Sequence, residues 1–228
     1  MTELNNTAES KARRKEIERK TRRDLITSIA LHFFTEKGYD NTSVGDIARD
    51  AGYTKKTLYN YFDSKDDLFA AVLAKVYETM FDTLDAFLKQ PGASFDFQTL
   101  GDAYLAFVEQ YSDQAALIDS GKCIIINRTI IEKEENGQEL TESEIEFKNN
   151  ETRAGMLMID VIRETMRTSG VDEKVDPAKI VKVLGVLNLV ISEIIRRGKA
   201  TQQSNDEIRE NLTILFTIIT KGVKYYSA

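Results

Sequence analysis

Apolar residues recur at helical spacing along most of the chain, and the gaps between the runs hold residues that start and stop helices. Leu25, Ile26, Ile29, Ala30, Phe33 and Phe34 make a first stripe that ends before Gly38. Val44, Ile47, Ala48 and Ala51 make a shorter one. Ser43 precedes it as N-cap, and Asp46 stands three residues on, where the carboxylate of a capping box belongs. Gly52 stops that helix, Thr54 caps the next, and Leu58 with Phe62 gives the segment from Lys55 to Tyr61 one apolar side. Ser64 then caps a long helix through Leu68, Phe69, Val72, Leu73, Val76, Met80, Leu84 and Leu88, broken at Pro91-Gly92.

The pattern past the break predicts further helices. Phe95, Phe97, Tyr104, Phe107 and Tyr111 precede an interruption near Ser112-Asp113, and Leu117 to Ile131 is a second apolar segment. Glu132 to Glu139 reads as a charged, solvated loop turning at Asn136-Gly137. Thr141 with Glu144 makes a capping box, after which Ile145, Phe147, Met156, Ile159, Ile162 and Met166 are expected to face inward until Ser169-Gly170. Asp176-Pro177 opens a helix that is apolar nearly all round from Ile180 to Ile195. After Gly198, Ser204 with Glu207 starts a last helix carrying Ile208, Leu212, Leu215, Ile219 and Val223. The predicted fold class is all-α, with an N-terminal three-helix helix-turn-helix domain and a larger C-terminal helical domain. Its expected divisions are a basic, partly flexible arm over 1–18, the helix-turn-helix domain over 19–68 and the helical domain over 69–228.

Two short helices joined by a glycine turn are the layout of a DNA-reading helix-turn-helix. The second splits cleanly: Leu58 and Phe62 hold it on the domain, while Lys55, Lys56, Thr57, Tyr59 and Tyr61 present ammonium and hydroxyl groups to base edges and phosphates of a major groove.

The order GY-x-x-TSV-x-DIA-x-x-AG-x-T-x-x-TLY-x-YF-x-SK-x-x-L, from Gly38 to Leu68, resembles the DNA-binding region of the tetracycline-repressor (TetR) family of transcription regulators. The resemblance implies an all-α homodimer whose C-terminal domain binds a small-molecule inducer and forms the dimer, with the long helix after Ser64 as the lever between ligand and DNA. Lys56 departs from the pattern, standing where family members often carry glycine or alanine. Resemblance and polar face together give a candidate DNA-binding set: Thr42 and Ser43 for phosphates, Thr54, Lys55, Lys56, Thr57 and Tyr59 at the recognition helix, and Tyr61 and Lys65 for the backbone.

Composition removes several other classes. Two prolines and no tryptophan suit a helical protein. One cysteine, Cys123, and one histidine, His32, leave no intramolecular disulfide and no Cys/His zinc site. His32 lies off its stripe with no nucleophile beside it, and no glycine-rich phosphate loop occurs, so no catalytic residue, metal or cofactor is assigned and an enzyme is not expected. The net charge of −6 argues against a polyanionic partner until its distribution is considered. Lys11 to Arg23 holds eight basic and two acidic residues, a local +6, whereas 69–228 holds 18 basic and 25 acidic, a local −7. A basic tip on an acidic body can orient the molecule on a polyanion through its field. Arg13, Arg14, Arg22 and Arg23 are the arm's candidates, for phosphates or, in the case of Arg13 and Arg14, for a minor groove.

Residues 1–10 lack the apolar core of a signal peptide, and no stretch approaches the roughly 20 apolar residues of a membrane span, so a cytoplasmic location is expected. The last two helices are expected to form a four-helix interface with a second copy, and two heads then read a palindromic operator. The aromatic and methionine positions between Phe95 and Met166 suit a cavity for a hydrophobic or amphipathic inducer, with no ligand residue assigned. The function expected is a homodimeric repressor released from double-stranded operator DNA by that inducer. An activator, or a helical protein-interaction module with a vestigial head, are the alternatives.

Overall fold

The computed structural model describes residues 2–169 and 187–226. Among them every regular element is an α-helix: α1 (Thr2–Lys37), α2 (Val44–Asp50), α3 (Lys55–Leu58), α4 (Lys65–Leu88), α5 (Phe97–Gln110), α6 (Ser112–Ile118), α7 (Gly121–Glu135), α8 (Glu142–Ser169), α9 (Leu187–Ala200) and α10 (Asn205–Tyr226). The all-α expectation holds. The helix start at Asp176-Pro177, residues 180–186, and the side chains of Phe97, Ile162, Met166 and Val223 lie outside the described residues.

The chain divides into two compact units, Met1–Leu73 with Lys122–Glu146, and Ala74–Gly121 with Phe147–Ala228. The first unit thus takes in a segment that the sequence reading had placed in the C-terminal domain. Its core joins Ile26, Ala30 and Phe34 of α1 to Val44, Ile47 and Ala48 of α2, Leu58 and Phe62 around α3, and Leu68 and Phe69 of α4. Phe34 meets Phe69 edge-on at 5.0 Å and stacks on Tyr39 at 5.8 Å. Leu25, one step round the helix from Ile26, is exposed, so the first stripe is narrower than its sequence suggests. Gly52 adopts φ +74° in the turn between α2 and α3, a conformation that a Cβ would strain. The N-terminal arm is part of α1 rather than a separate extension.

Glu132, Glu134 and Glu135, expected in a loop, form the end of α7. Glutamate and lysine are strong helix formers, the Arg128–Glu132 pair (2.7 Å) supports the last turns, and nothing breaks the helix before Asn136-Gly137.

In the second unit Phe147 starts the buried side of α8 and meets Tyr77 of α4 at 5.4 Å, while Asn150 Nδ2 donates to the Ala74 carbonyl at 2.9 Å. Phase explains two misplaced residues: Ile145, two positions before Phe147, points to the opposite side of α8, and Met156 is likewise exposed. Leu100, Ala103, Tyr104 and Phe107 bury one side of α5, which packs on α10, and α10 packs on α9. Gly198 does not end α9; it lies inside the helix, where an added Cβ would meet Ile208 Cγ1 at 2.5 Å. Ser204 and Glu207 do form their capping box, with Ser204 N–H to Glu207 at 2.7 Å and Glu207 N–H to Ser204 Oγ at 3.3 Å.

Candidate nucleic-acid interface

The first motif helix begins at Ser43, whose Oγ accepts from Gly45 N–H at 3.2 Å. The expected return bond from Asp46 is absent, because that carboxylate pairs instead with Arg49 at 2.6 Å. Thr54 caps α3 as expected, its Oγ1 accepting from Thr57 N–H at 3.1 Å and lying 2.9 Å from Thr57 Oγ1. Only four residues of the predicted segment from Lys55 to Tyr61 are α-helical; tighter turns follow, with Asn60 N–H to Thr57 and Tyr61 N–H to Leu58.

Leu58 and Phe62 are buried, so α3 is fixed by its apolar side and presents the other. Lys55, Lys56, Thr54 and Tyr59 are exposed, Thr57 is half-buried, and the Lys55 ammonium lies 5.9 Å from the Tyr59 ring centre. Ser43, at the start of α2, is exposed too. Tyr61 is half-buried, its ring 6.4 Å from that of Tyr53. The neighbouring Tyr61 hydroxyl is the main cause that raises the pKa of the exposed Arg22 of α1. Lys65, in the first turn of α4, stands over the Tyr39 ring at 4.2 Å. Arg13 and Arg14 are exposed on α1.

Two candidates have other work. Thr42 is buried, and its hydroxyl lies 2.7 Å from the Gly38 carbonyl and 3.1 Å from that of Phe33. Its side chain fastens the α1–α2 connection instead of reaching a phosphate. Arg23 is only 3% exposed; it donates to the Tyr61 carbonyl at 3.0 Å, to Ser143 Oγ at 2.8 Å and to Glu146 at 3.2 Å, and covers the Phe62 ring at 4.6 Å. A guanidinium so completely paired and covered is a structural tie, not a phosphate ligand.

The partners of Arg23 belong to a group that sequence reasoning missed. Arg19 makes a bidentate pair with Glu142, both contacts at 2.9 Å, which raises the arginine pKa and holds the Glu142 carboxyl below its usual range. Asp66 accepts a hydrogen bond from the Tyr39 hydroxyl and pairs with Lys122 at 2.8 Å. Burial pushes the Asp66 pKa up, but the Lys122 and Tyr39 bonds outweigh it and the net shift is downward. The capping box of Thr141 and Glu144 forms as expected, at 2.9 and 3.2 Å, and Thr141 Oγ1 also donates to Asp67 at 2.5 Å. Only that box had a sequence signal; the pairings of residues far apart in the chain had none.

Residues 26–72 match the sequence model described as bacterial regulatory proteins, tetR family. The chain is similar to the HTH-type transcriptional regulator AcrR of Shigella flexneri, with 38% identity over 61 residues, 27% of this chain and 28% of that one. It is also similar to IcaR of Staphylococcus aureus strain Newman, a negative transcriptional regulator of the biofilm operon icaADBC, with 43% identity over 47 residues, 21% of this chain and 25% of that one. The aligned part spans about a quarter of the length of these curated relatives. Solved structures extend the likeness of fold over most of the chain. A tetR-family transcriptional regulator from Pectobacterium atrosepticum superposes with TM-score 0.61 at 19% identity, covering 91% of this chain and 96% of that one. The fatty acid degradation regulator FadR of Bacillus halodurans gives 0.59 at 15%, covering 87% and 94%.

Proposed function

We propose that the chain is a sequence-specific transcription repressor working as a homodimer and released by a small molecule, a reading supported by the match of residues 26–72 to the model described as bacterial regulatory proteins, tetR family. The observation that carries this reading is the two-sided α3: Leu58 and Phe62 anchor it, while Lys55, Lys56 and Tyr59 are exposed at a helix capped by Thr54. Such a helix offers bidentate and phosphate-directed donors without moving its support. Repression, as opposed to activation, is the sense favoured by the likeness to IcaR, a negative regulator.

Dimerisation is supported by the last two helices. Ile208 and Leu212 of the expected seam are buried within the chain, whereas Val190, Ile214 and Ile218 are large apolar side chains left exposed. Ile214 and Ile218 stand one turn apart on α10, as an isologous helix pairing requires. The inducer is assigned to the hydrophobic or amphipathic class on the apolar composition of the helices after Phe95.

Fluorescence anisotropy with labelled duplex from beside the gene tests the reading, using scrambled duplex as competitor and varying salt. Tight, competitor-resistant and salt-sensitive binding is expected. If neither that duplex nor any selected from a random pool binds better than scrambled DNA, the regulator reading is wrong.

A further inference from the structure

The N-terminus of α8 holds both ends of the short loop that joins the recognition helix to α4. One line runs from Ser143 Oγ to the Arg23 guanidinium (2.8 Å) and from there to the Tyr61 carbonyl (3.0 Å), just past α3. The other runs from Thr141 Oγ1 to Asp67 Oδ1 (2.5 Å), and Asp67 Oδ2 accepts from Asp63 N–H (2.9 Å), at the far end of the same loop. Ser143 is fully buried and Arg23 nearly so, which makes the first line rigid and costly to leave half-made. Asp67 is buried too, and its N–H bonds the Ser64 cap at 3.0 Å, so the second line fixes the start of α4 along with the loop. Neither hydroxyl touches the candidate DNA surface.

We infer that Thr141 and Ser143 are positioning residues for DNA recognition: they set the pitch of α3 through the loop over 61–63. The inference rests on the regulator reading. Removing either hydroxyl leaves the α3 side chains intact but frees the loop, so operator binding falls while phosphate-driven binding does not.

The test uses the full-length protein in two measurements. Amide hydrogen exchange without DNA, at a temperature where every variant is folded, compares Tyr61, Phe62 and Asp63 with Ile47 of α2. Anisotropy compares operator with scrambled duplex. For Ser143→Ala and Thr141→Val, exchange over 61–63 is expected to rise about tenfold relative to Ile47, and operator affinity to fall about tenfold with scrambled-duplex affinity unchanged, the size of one hydrogen bond to a charged group. Ser143→Thr and Thr141→Ser, which keep the hydroxyls, are expected to restore both readouts. Unchanged exchange over 61–63, or equal acceleration there and at Ile47, overturns the inference, as does equal loss of both DNA affinities. Operator binding by the wild type that Ser143→Ala leaves intact overturns the inference alone. Wild-type protein that binds no duplex overturns the regulator reading, and with it the DNA role of these hydroxyls.

Discussion

Arg19 and Glu142 stand 123 positions apart in the chain and form a two-pronged ion pair, with both nitrogen-to-oxygen distances at 2.9 Å. Arg19 is also paired with Glu16 at 3.0 Å, so a residue from the most basic stretch of the sequence is neutralised within the protein. The positive tip is therefore weaker than its composition suggests, with Arg23 buried and Lys11, Arg13, Arg14, Lys15, Lys20 and Arg22 left as its exposed cations.

Acid should loosen this pair. The hydrogen bond from Arg19 is the main cause of the lowered Glu142 pKa, with burial opposing it. A carboxyl with a depressed folded pKa contributes stability above its unfolded value, about 4.3, and loses it as pH falls through the folded one. With Glu142 44% exposed, solvent screening limits the contribution to less than about 1 kcal/mol. Urea unfolding should show Glu142→Gln less stable than wild type at pH 7 and equal to it at pH 3. A difference that persists at pH 3 would mean that packing, not charge, is what the substitution removes.

Tyr39 gives the opposite sign. Burial first, then the bond to Asp66, raises its phenol pKa above the ordinary range. A raised folded pKa means that the contribution is fully present below the unfolded value, about 10, and fades as pH climbs through the folded one. In an alkaline absorbance titration of folded protein, Tyr39→Phe should lack only a late-ionising phenol. Asp66→Asn, by removing the neighbouring carboxylate, should bring that phenol back towards the others. Loss of an early-ionising phenol in Tyr39→Phe would contradict this.

The local devices of this fold were legible in the sequence, and the long-range ones were not. Thr54, Ser64, Thr141 and Ser204 cap helices where spacing placed them, because a cap is decided by residues within one turn. The anchored α3 was legible for the same reason. Ser43 shows the limit of even local reasoning: Asp46 had two partners in reach and took Arg49. Arg23 was read as part of a basic arm because its neighbours are basic; its partners Ser143 and Glu146 lie 120 and 123 positions away, and nothing in the spacing announces them. Ile145 was misread because a helical period without a fixed phase leaves two faces open, and Phe147 settled which one is buried.

Gly198 offers a test of packing between α9 and α10. Its hydrogen lies against Ile208, and a methyl group there would come within 2.5 Å of Cγ1 and 2.8 Å of Cδ1. Ile208 is fully buried, in an interior where close packing leaves little room to turn. Gly198→Ala should therefore destabilise the protein by about 1–3 kcal/mol despite alanine's better helix propensity. Ile208→Ala alone should cost about 2–5 kcal/mol, and the double variant distinctly less than the sum, since each change relieves the other. Additive thermal shifts would show that the two residues do not share the contact.

The last prediction separates support from contact among neighbouring residues of the head. Thr42 and Lys65 were both assigned to the DNA backbone, yet Thr42 is buried with its hydroxyl on the Gly38 and Phe33 carbonyls, while Lys65 keeps a partly exposed ammonium over the Tyr39 ring. Thr42→Val keeps the shape and removes the hydroxyl, so it should lower stability by about 1 kcal/mol and leave the salt dependence of DNA binding unchanged. Lys65→Ala should do the reverse: near-normal stability, weaker binding to every duplex, and a slope of log affinity against log salt reduced by about 1. Lys55→Ala and Tyr59→Ala should in addition blur the preference for operator over scrambled DNA, because both side chains are exposed at α3 while Leu58 is buried. Unfolding curves and salt titrations of the same four variants decide the matter. If Thr42→Val flattens the salt slope, the residue acts on phosphates after all; if Lys55→Ala and Tyr59→Ala both discriminate like wild type, α3 is not the reading helix.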